Sequence, residues 1–318
     1  MSTLNLLKSF TTVVADTGDF EAIAKTAPTD ATTNPSLVLK VAQLPHYGTL
    51  IDEAINKVNR DHVLIEDQAT MAAYYLSVLV GVQLTQLVPG RVSTEIDARL
   101  SFDKEKMIAE AKRIIDWYET LGVKRERVLI KLAATWEGIQ AAKVLECEGI
   151  QCNLTLIFNL AQARACGEAG VFLISPFVGR IYDWYKNRGL APEPGADDFG
   201  VASVKQVFSY LKQHGFDTIV MGASFRSMEQ VIALAGCDKL TISPEILDEM
   251  AEATVAVERH LVAPESVMPR EKPMTEAEFR WALNLDPMAN EKLAEGIVKF
   301  AKDQETLEAL IQKRILGK

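Results

Sequence analysis

Histidine and cysteine are both scarce in this sequence, with four residues of each among 318. The cysteines form no CxxC pair and have no partnering histidines at a metal-ligand spacing. They are Cys147, Cys152, Cys166 and Cys237, and the scattered histidines are His46, His62, His214 and His260. We therefore expect no metal ion, and we expect reduced thiols in a cytoplasmic protein.

An excess of basic residues is also missing. Lysine and arginine number 34 against 43 aspartates and glutamates, which gives a formal net charge of −9. A nucleic-acid-binding protein needs a concentrated basic face to meet phosphates, so we expect no nucleic-acid partner. A local basic pocket is compatible with an acidic whole, so phosphorylated small molecules remain candidate ligands.

A secretory signal is absent as well, because MSTLNLLKSF has no basic region followed by an apolar run and a small-residue cleavage site. Residues 68–90 carry no charge and are long enough to cross a bilayer, which takes about 20 residues. This stretch nevertheless contains polar side chains such as Gln83 and Gln86. A helix buried against a large core explains it better, so we expect no membrane partner.

Hydrophobic residues make up 48% of the chain and charged residues 24%, so the chain can bury a sizeable core. Eight short β-rich runs recur along it, and most are followed by a helical pattern. The runs are Thr11–Asp16, Ala31–Thr33, Val92–Asp97, Val128–Ala134, Cys152–Ile157, Val171–Val178, Thr218–Ser224 and Lys239–Ser243. This alternation predicts a parallel sheet with helical crossovers.

Several helices are predicted by their apolar periodicity and their capping residues. Residues 101–121 place apolar side chains on one face, with Gly122 as the stop, and the tail from Pro287 onward reads as a long amphipathic helix. Capping patterns predict further helix starts at Ser203-x-x-Gln206, Ser227-x-x-Gln230 and Ser243-Pro244.

Eight strand–helix units in roughly 250 residues match a (β/α)₈ TIM barrel, here with extra terminal helices. A doubly wound sheet is the alternative, but no GxGxxG follows any predicted strand. Lys186–Gly200 and the proline-containing segment Ala263–Met274 are too short to separate domains. We therefore predict a single (β/α)₈ barrel domain over residues 1–318.

Lys131 interrupts the apolar run VLIKLAA at residues 128–134, which predicts a strand buried on both faces. Burial disfavours an ammonium group, and a neutral amine is a nucleophile that condenses with carbonyl groups. The alternative is an outward-facing lysine whose stem lies between helices and whose ammonium reaches water. For Lys131 alone both interpretations stay open.

Polar side chains also stand at the ends of other predicted strands. They are Asp16, Asn34, Glu95, Asp97, Asn153, Thr155 and Ser175. Asn153 and Thr155 share one face, because strand side chains alternate with a period of two. Barrels of this class assemble their active sites from the C-terminal ends of different strands, so the whole set with a buried lysine predicts catalysis.

Four of these polar residues also have an ordinary structural interpretation. Asp16 can cap a helix, and Asn34 can form a turn before the proline that follows it. Glu95 and Asp97 can form ion pairs with nearby arginines, Arg91 or Arg99.

Two arginines predict an anion site. Ser224 and Arg226 end the seventh strand just before a helix start near Ser227, and Arg180 follows the sixth strand. Backbone amides at a helix start together with arginines bind phosphate, and barrels place such sites near their last strands. The alternative is that both arginines are ordinary surface residues.

At these residues the sequence resembles the transaldolases, the class I enzymes of the pentose phosphate pathway. The resemblance runs from end to end through long, specific blocks. They are TTVVADTGD, DATTNPSL, PGRVSTEIDARL, VLIKLAATWEGI, CNLTLIF, ARACGEAGVFLISPFVGRI, VMGASFR and DPMANEKLAEGI. The resemblance implies a (β/α)₈ barrel, Schiff-base catalysis without a cofactor, phosphorylated sugars as substrates and a homodimer.

The resemblance also implies roles for single residues. Lys131 matches the Schiff-base lysine, Asp16 the acid–base aspartate, and Glu95 with Thr155 the pair that holds a catalytic water. The substrate-binding set comprises Asn34, Asn153 and Ser175 for the dihydroxyacetone hydroxyls, Phe177 in the pocket wall, and Arg180, Ser224 and Arg226 for the phosphate.

Four other functions remain as alternatives. A class I aldolase would release free dihydroxyacetone from the same lysine, and the missing hydroxyl of Phe177 favours transfer instead. A metal-dependent aldolase is disfavoured because no histidine falls at a strand end. A non-catalytic barrel scaffold would tolerate replacement of Lys131, and a pyridoxal-phosphate enzyme would show the absorbance of its imine.

Overall fold

The computed structural model describes residues 1–317, apart from the side chains of Ala22 and His46. The sequence arguments about Lys318 and about the His46 side chain therefore fall outside the described residues. Within them, eight parallel strands close into a barrel in chain order. The strands are β1 (Thr12–Asp16), β2 (Asp30–Thr32), β3 (Val92–Glu95), β4 (Val128–Ala133), β5 (Cys152–Ile157), β6 (Leu173–Pro176), β7 (Ile219–Gly222) and β8 (Lys239–Ile242).

The predicted (β/α)₈ barrel is thus confirmed, and every predicted strand agrees with an observed one to within two residues at each end. The helices are α1 (Thr3–Lys8), α2 (Phe20–Thr26), α3 (Pro35–Ala42), α4 (Gly48–Arg60), α5 (Gln68–Leu87), α6 (Lys104–Thr120), α7 (Trp136–Cys147), α8 (Leu160–Glu168), α9 (Gly179–Lys186), α10 (Phe199–Gln213), α11 (Met228–Ile232), α12 (Pro244–Glu252), α13 (Glu276–Asn284) and α14 (Pro287–Ile315).

The barrel interior changes from apolar to polar along its axis. Val14, Leu129, Leu173 and Met221 form a buried apolar cluster, and Met221 at its upper edge also lines the pocket that contains Lys131. Lys131 lies two residues beyond Leu129 on β4 and therefore faces the same side of the strand. The barrel interior is therefore filled by hydrophobic side chains in its middle layer, and polar side chains line it at the C-terminal strand ends.

The capping prediction at Ser203 is wrong. Helix α10 begins at Phe199, and its N-cap is Asp198, whose carboxylate accepts from the Val201 amide at 2.8 Å. Asp198 is completely buried and also accepts from the side chain of Gln230 at 2.9 Å. A carboxylate with these partners fixes the helix start one turn before the serine.

The other predicted helix starts are observed, but their capping hydrogen bonds differ from the prediction. Ser227 caps α11 by accepting from the Gln230 amide at 3.4 Å. The Gln230 side chain, however, accepts from the Arg226 amide and not from that of Ser227, so the capping box is not closed. Ser243 precedes Pro244 at the start of α12, as predicted, but its side chain makes no capping hydrogen bond to the helix.

The two longest helices, α5 and α14, pack against different parts of the barrel. The uncharged segment forms α5, which packs against α4, α6 and α14. Across the described chain, no helix combines the length and the apolarity needed to cross a membrane. Helix α14 packs on α3, α5, α9 and β5, so it lies against the end of the barrel where the polar residues collect.

Candidate active site

Lys131 and Glu95 form a buried ion pair inside the barrel. They are partners in the β3–β4 register, and Lys131 Nζ lies 2.9 Å from Glu95 Oε2. Their side chains are only 6% and 3% exposed. Lys131 Nζ also donates to the backbone carbonyl of Thr33 at 3.2 Å. The interpretation of Lys131 as an outward-facing surface lysine is therefore wrong.

Asp16 is the second carboxylate near this lysine. It accepts a hydrogen bond from Thr32 Oγ1 at 2.9 Å, and that hydroxyl also lies 2.8 Å from Thr241 Oγ1. Asp16 does not cap α2, whose N-cap is Asp19. The helix-cap alternative for Asp16 is therefore wrong, and its carboxylate lines the pocket that Lys131 also lines.

Both carboxyl groups are electrostatically perturbed. Burial raises the pKa of Asp16, and the charge of Lys131 and the hydrogen bond from Thr32 partly oppose this rise. Burial likewise raises the pKa of Glu95, with Lys131 again the main opposing influence. Carboxyl groups with raised pKa values exchange protons more readily near neutral pH, which suits general acid and base catalysis.

Asp97, by contrast, follows its ordinary structural interpretation. Its carboxylate lies 2.5 Å from Arg99 Nη2 and accepts the hydroxyl of Tyr74 at 2.6 Å. These partners satisfy the side chain and hold it at the start of the short helical turn at residues 98–100. Of the two carboxylates predicted on this strand, only Glu95 faces the lysine.

Thr155 carries a polar atom that no protein group satisfies. It is completely buried, and among the atoms of the described residues its Oγ1 has no hydrogen-bond partner. The next residue, Leu156, has φ of 57°, and the β5–β6 register shifts between Leu154 and Ile157. A left-handed, non-glycine residue at a register shift stores backbone strain, which is typical of functional sites.

A short hydrogen-bonded chain fixes three buried polar residues beside the lysine. Ser175 donates to Asn153 Oδ1 at 2.6 Å, and Asn153 Nδ2 donates to Ser93 Oγ at 3.0 Å. Asn153 also pairs with Lys131 in the β4–β5 register. These two bonds hold the Asn153 amide in place, and Ser175 is the member of the chain that lines the pocket.

Asn34 combines the two interpretations that the sequence left open. Its Oδ1 caps α3 by accepting from the Leu37 amide at 3.0 Å, just before Pro35. Asn34 also lines the pocket together with Lys131. The cap fixes the orientation of the side chain, so the amide is available on the pocket side.

The two arginines of the predicted anion site lie at the same pocket but are held differently. The Arg180 guanidinium lies between two aromatic rings, with Cζ 4.9 Å from the Phe177 centroid and 5.2 Å from that of Phe300. Burial lowers the pKa of Arg180, partly offset by the charge of Glu95. Arg226 instead forms an ion pair with Asp183, with Nη2 and Oδ2 separated by 2.8 Å.

Ser224 completes this end of the pocket in a strained conformation. Its φ is 62°, and its hydroxyl accepts from Arg226 Nη1 at 3.4 Å. Its carbonyl accepts from the Gly179 amide at 2.5 Å. A Cβ at position 179 would lie 2.3 Å from that carbonyl oxygen, so the approach requires glycine.

One pocket of about 170 Å³ contains both the lysine and the arginines. Nine of the eleven predicted site residues line it, while Glu95 and Asn153 lie immediately behind Lys131. Sequence reasoning missed several lining residues, namely Thr32, Met221, Ala223, Phe225, Thr241, Ser243 and Phe300. The only signal for Phe300 was its place in the apolar stripe of the last helix, which did not show that this helix reaches the pocket.

The pocket offers no obvious set of metal ligands. Within residues 1–317, no three His, Cys, Asp or Glu side chains are grouped as a metal site would need. The chemistry available to the described residues is that of an amine beside two perturbed carboxyl groups, with two cations at the far end.

Comparison with known proteins extends this description to the whole chain. A family model described as Transaldolase/Fructose-6-phosphate aldolase matches residues 13–311. A transaldolase of Shewanella sp. (strain ANA-3) is 56% identical over 314 residues, which cover 99% of this chain and 99% of that protein. Transaldolases of Shewanella oneidensis and Shewanella baltica (strain OS155) are 55% and 54% identical over the same shares.

Proposed function

This chain belongs to the transaldolase/fructose-6-phosphate aldolase family, and we propose that it transfers a dihydroxyacetone unit between sugar phosphates. It is a transferase of the transaldolase type. The donor is a ketose phosphate such as fructose 6-phosphate or sedoheptulose 7-phosphate, and the acceptor is an aldose phosphate such as glyceraldehyde 3-phosphate or erythrose 4-phosphate. The observation that carries the proposal is a buried lysine, paired with a carboxylate, in one pocket with two arginines.

The first step joins the sugar to Lys131. The neutral amine adds to the C2 carbonyl of the ketose and forms a carbinolamine. The nitrogen lone pair then expels the C2 oxygen, which takes up a proton and leaves as water, so that an iminium ion remains. Glu95 lies 2.9 Å from Nζ and is placed to take the proton from nitrogen and return it to oxygen. The unsatisfied hydroxyl of Thr155 supports its role as the second holder of the water involved.

The second step breaks the carbon chain. Asp16 takes the proton of the C4 hydroxyl, the C3–C4 bond breaks, and its electron pair enters the iminium to give an enamine. The phosphorylated aldehyde leaves, and the three-carbon unit stays on Lys131. The raised pKa of Asp16 supports this role, because it brings the carboxylate closer in basicity to the group it must deprotonate.

The third step reverses the chemistry with a new partner. The enamine carbon attacks the carbonyl of an incoming aldose phosphate, and Asp16 returns its proton to the new hydroxyl. Water then adds to the iminium and releases the new ketose phosphate. Ser175, oriented by Asn153, and the amide of Asn34 are placed to hold the hydroxyls of the three-carbon unit, while Arg180, Arg226 and Ser224 receive the phosphate.

Borohydride trapping tests this proposal directly. The protein is incubated with fructose 6-phosphate and borohydride, and intact and peptide masses are measured. We expect a reduced three-carbon adduct on Lys131. The matched control is Lys239→Met, which removes another largely buried lysine from the same barrel and should leave the adduct in place. Failure to trap an adduct, with reductant and substrate shown to be active, would remove the Schiff-base mechanism.

The family description includes aldolases, so transfer has to be separated from net cleavage. With an aldose phosphate present, a transaldolase produces a new ketose phosphate and little free dihydroxyacetone. Chromatography of the products distinguishes the two outcomes. The apolar wall formed by Phe177 and Phe300 favours transfer, because it limits the access of water to the enamine.

We also propose that residues 1–318 form one domain and that the protein works in the cytoplasm as a homodimer. The continuous barrel supports the first proposal, and the resemblance to the family supports the others. Light scattering on the purified protein checks the assembly: a dimer has twice the chain mass of 35.1 kDa. A mass of 35.1 kDa across the working concentration range would contradict it.

A further inference from the structure

Asp183 lies against Arg226, at the edge of the pocket's phosphate end, where a negative charge is unexpected. It is on α9, one turn after Arg180, and its carboxylate accepts three hydrogen bonds from Arg226. Nε lies 3.1 Å from Oδ2 and 3.3 Å from Oδ1, and Nη2 lies 2.8 Å from Oδ2. The fork of Arg226 that would bind a phosphate is therefore already occupied by a carboxylate.

Arg180, in the same pocket, differs from Arg226 in its partners. Its guanidinium is packed between Phe177 and Phe300, and within residues 1–317 no carboxylate forms an ion pair with it. The side chains of Arg226 and Asp183 are 38% and 35% exposed, so this pair is partly solvated and can exchange partners at modest cost. Arg180 is thus free of a carboxylate partner, whereas Arg226 is paired with the Asp183 carboxylate, which another anion can replace.

We propose that Asp183 is an intramolecular competitor of the substrate phosphate for Arg226. This inference rests on the proposed function and concerns specificity. A sugar phosphate that is joined to Lys131 presents its phosphate at a high effective concentration, so it displaces the carboxylate. Free inorganic phosphate has no such tether and competes poorly with Asp183.

The same exchange assists the release of the first product. When the C3–C4 bond breaks, the phosphorylated aldehyde loses its covalent link to Lys131, and its effective concentration at Arg226 falls. Asp183 then recovers the guanidinium, and like-charge repulsion between carboxylate and phosphate favours departure of the aldehyde. The enamine, which carries no phosphate, stays on the lysine. Asp183 is therefore a specificity residue that touches the phosphate receptor and takes no part in bond making.

The test variant is Asp183→Asn, which keeps the size of the side chain and removes its charge. We expect inhibition by inorganic phosphate to strengthen about threefold to fivefold, because an exposed ion pair is worth about that factor. The KM for fructose 6-phosphate should fall together with kcat, since the product leaves more slowly. Turnover of a donor without phosphate, such as fructose, should not change.

The matched control is Glu291→Gln. Glu291 forms a similar exposed pair with Arg188, in which Arg188 Nη2 lies 2.9 Å from Glu291 Oε2, but Arg188, unlike Arg226, does not line the pocket. This variant should leave inhibition by inorganic phosphate unchanged. If Asp183→Asn weakens inhibition or leaves it unchanged, Asp183 merely orients Arg226 and the competitor role is wrong.

A second variant separates this inference from the proposed function. Arg226→Gln should raise the KM for fructose 6-phosphate by a much larger factor than it changes the KM for fructose. If it does so while Asp183→Asn has no effect, only the competitor role fails. If Arg226→Gln affects both donors equally, the assignment of the phosphate site itself fails, and the competitor role fails with it.

Discussion

The barrel contains two lysine–carboxylate pairs, one at each end, and they differ in what surrounds them. Lys131 and Glu95 lie at the C-terminal ends of β4 and β3, whereas Lys239 and Asp30 lie at the N-terminal ends of β8 and β2. All four side chains are largely buried, at 12% exposure or less. Burial of a lysine on a strand therefore does not by itself identify a nucleophile.

The N-terminal pair is fully engaged by its surroundings. Asp30 binds the Lys239 ammonium and also accepts from the Arg91 amide at 2.7 Å. Gly90 packs so closely on this carboxylate that a Cβ there would lie 1.8 Å from its Oδ1. The pair links the loop before β3 to β8 through β2.

The C-terminal pair keeps open bonding capacity. Within the described chain, Glu95 Oε2 has its contact with Lys131 and no hydrogen bond of good geometry, and the nearby Thr155 hydroxyl has none either. Barrels of this class carry out catalysis at the C-terminal strand ends. We infer that polar atoms without hydrogen-bond partners beside a buried lysine at that end distinguish a reactive pair from a structural one.

The largest expected effect is that of Lys131→Met. In the proposed mechanism the substrate forms its covalent bond to this nitrogen, so we expect transfer activity to fall at least about 10⁴-fold and the borohydride adduct to disappear. Circular dichroism should show a folded barrel. Residual activity above about 1% would mean that the amine is not the nucleophile.

Lys239→Met should have the opposite profile. It leaves Asp30 buried without its cation, so we expect the free energy of unfolding to fall by about 3 kcal/mol. The kcat of transfer should stay within about twofold, since the pair lies at the opposite end of the barrel from the pocket. Urea denaturation and steady-state kinetics together measure this. A loss of kcat with unchanged stability would contradict the view that the Lys239–Asp30 pair is structural and the Lys131–Glu95 pair catalytic.

Glu110 provides a third buried carboxyl group for comparison, with only one ionic partner. It pairs with Arg113 at 3.1 Å, while its Oε1 has no partner in the described chain. Burial raises its pKa to about 7, and Arg113 only partly opposes the rise. As pH rises from about 4.5 to 7, the unfolded chain loses this proton before the folded protein does, so the group lowers stability over that range.

Glu110→Gln should remove this pH dependence. Relative to the wild type, the variant should gain up to roughly 3 kcal/mol of stability between pH 5 and pH 8. Urea denaturation at both pH values provides the measurement, with Glu105→Gln on the exposed face of the same helix as the control. Equal pH dependence in wild type and Glu110→Gln would show that Glu110 is ionised at pH 5.

The smallest expected effect concerns the aromatic contact of Arg180. Phe300→Leu keeps an apolar side chain and removes the ring face, so the KM for fructose 6-phosphate should rise about threefold to tenfold. The change for fructose should be smaller, because Arg180 then has no phosphate to bind. Phe300→Trp keeps an aromatic ring, so its KM should stay near that of the wild type. Equal KM changes for both donors in Phe300→Leu would mean that Phe300 acts on the lysine end of the pocket instead.

The sequence was sufficient for the barrel and for most of the pocket, for a physical reason. Polar residues inside apolar strands, such as Lys131 and Thr155, conflict with burial unless they have a function, and the period of two shows which of them share a face. Asp97 shows the limit of this reasoning, because sequence alone did not separate it from Glu95. Strand β3 ends at Glu95, which pairs with Lys131, and the chain then turns, so that Asp97 pairs with Arg99 instead.

Residues contributed by distant segments could not be predicted in the same way. Lys239 begins a strand directly after Asp238, and nothing near it in the sequence indicates its pair with Asp30, which is 209 positions away. Asp183 and Phe300 lie on helices whose amphipathic pattern predicts a buried face but not what that face covers. Strand order and register had to be known before these contacts could be identified.

Helix α14 has a consequence for how the protein is made. Synthesis proceeds from the N-terminus, and α14 follows all eight strands, so a nascent chain can have every barrel strand outside the ribosome while Phe300 is still in the exit tunnel. At that stage Lys131 and Arg180 lack the ring that lies over both of them in the finished protein. The pocket around Lys131 is thus completed only when the last helix has been made, and a chain truncated before α14 contains Lys131 and Arg180 without the aromatic ring that contacts both.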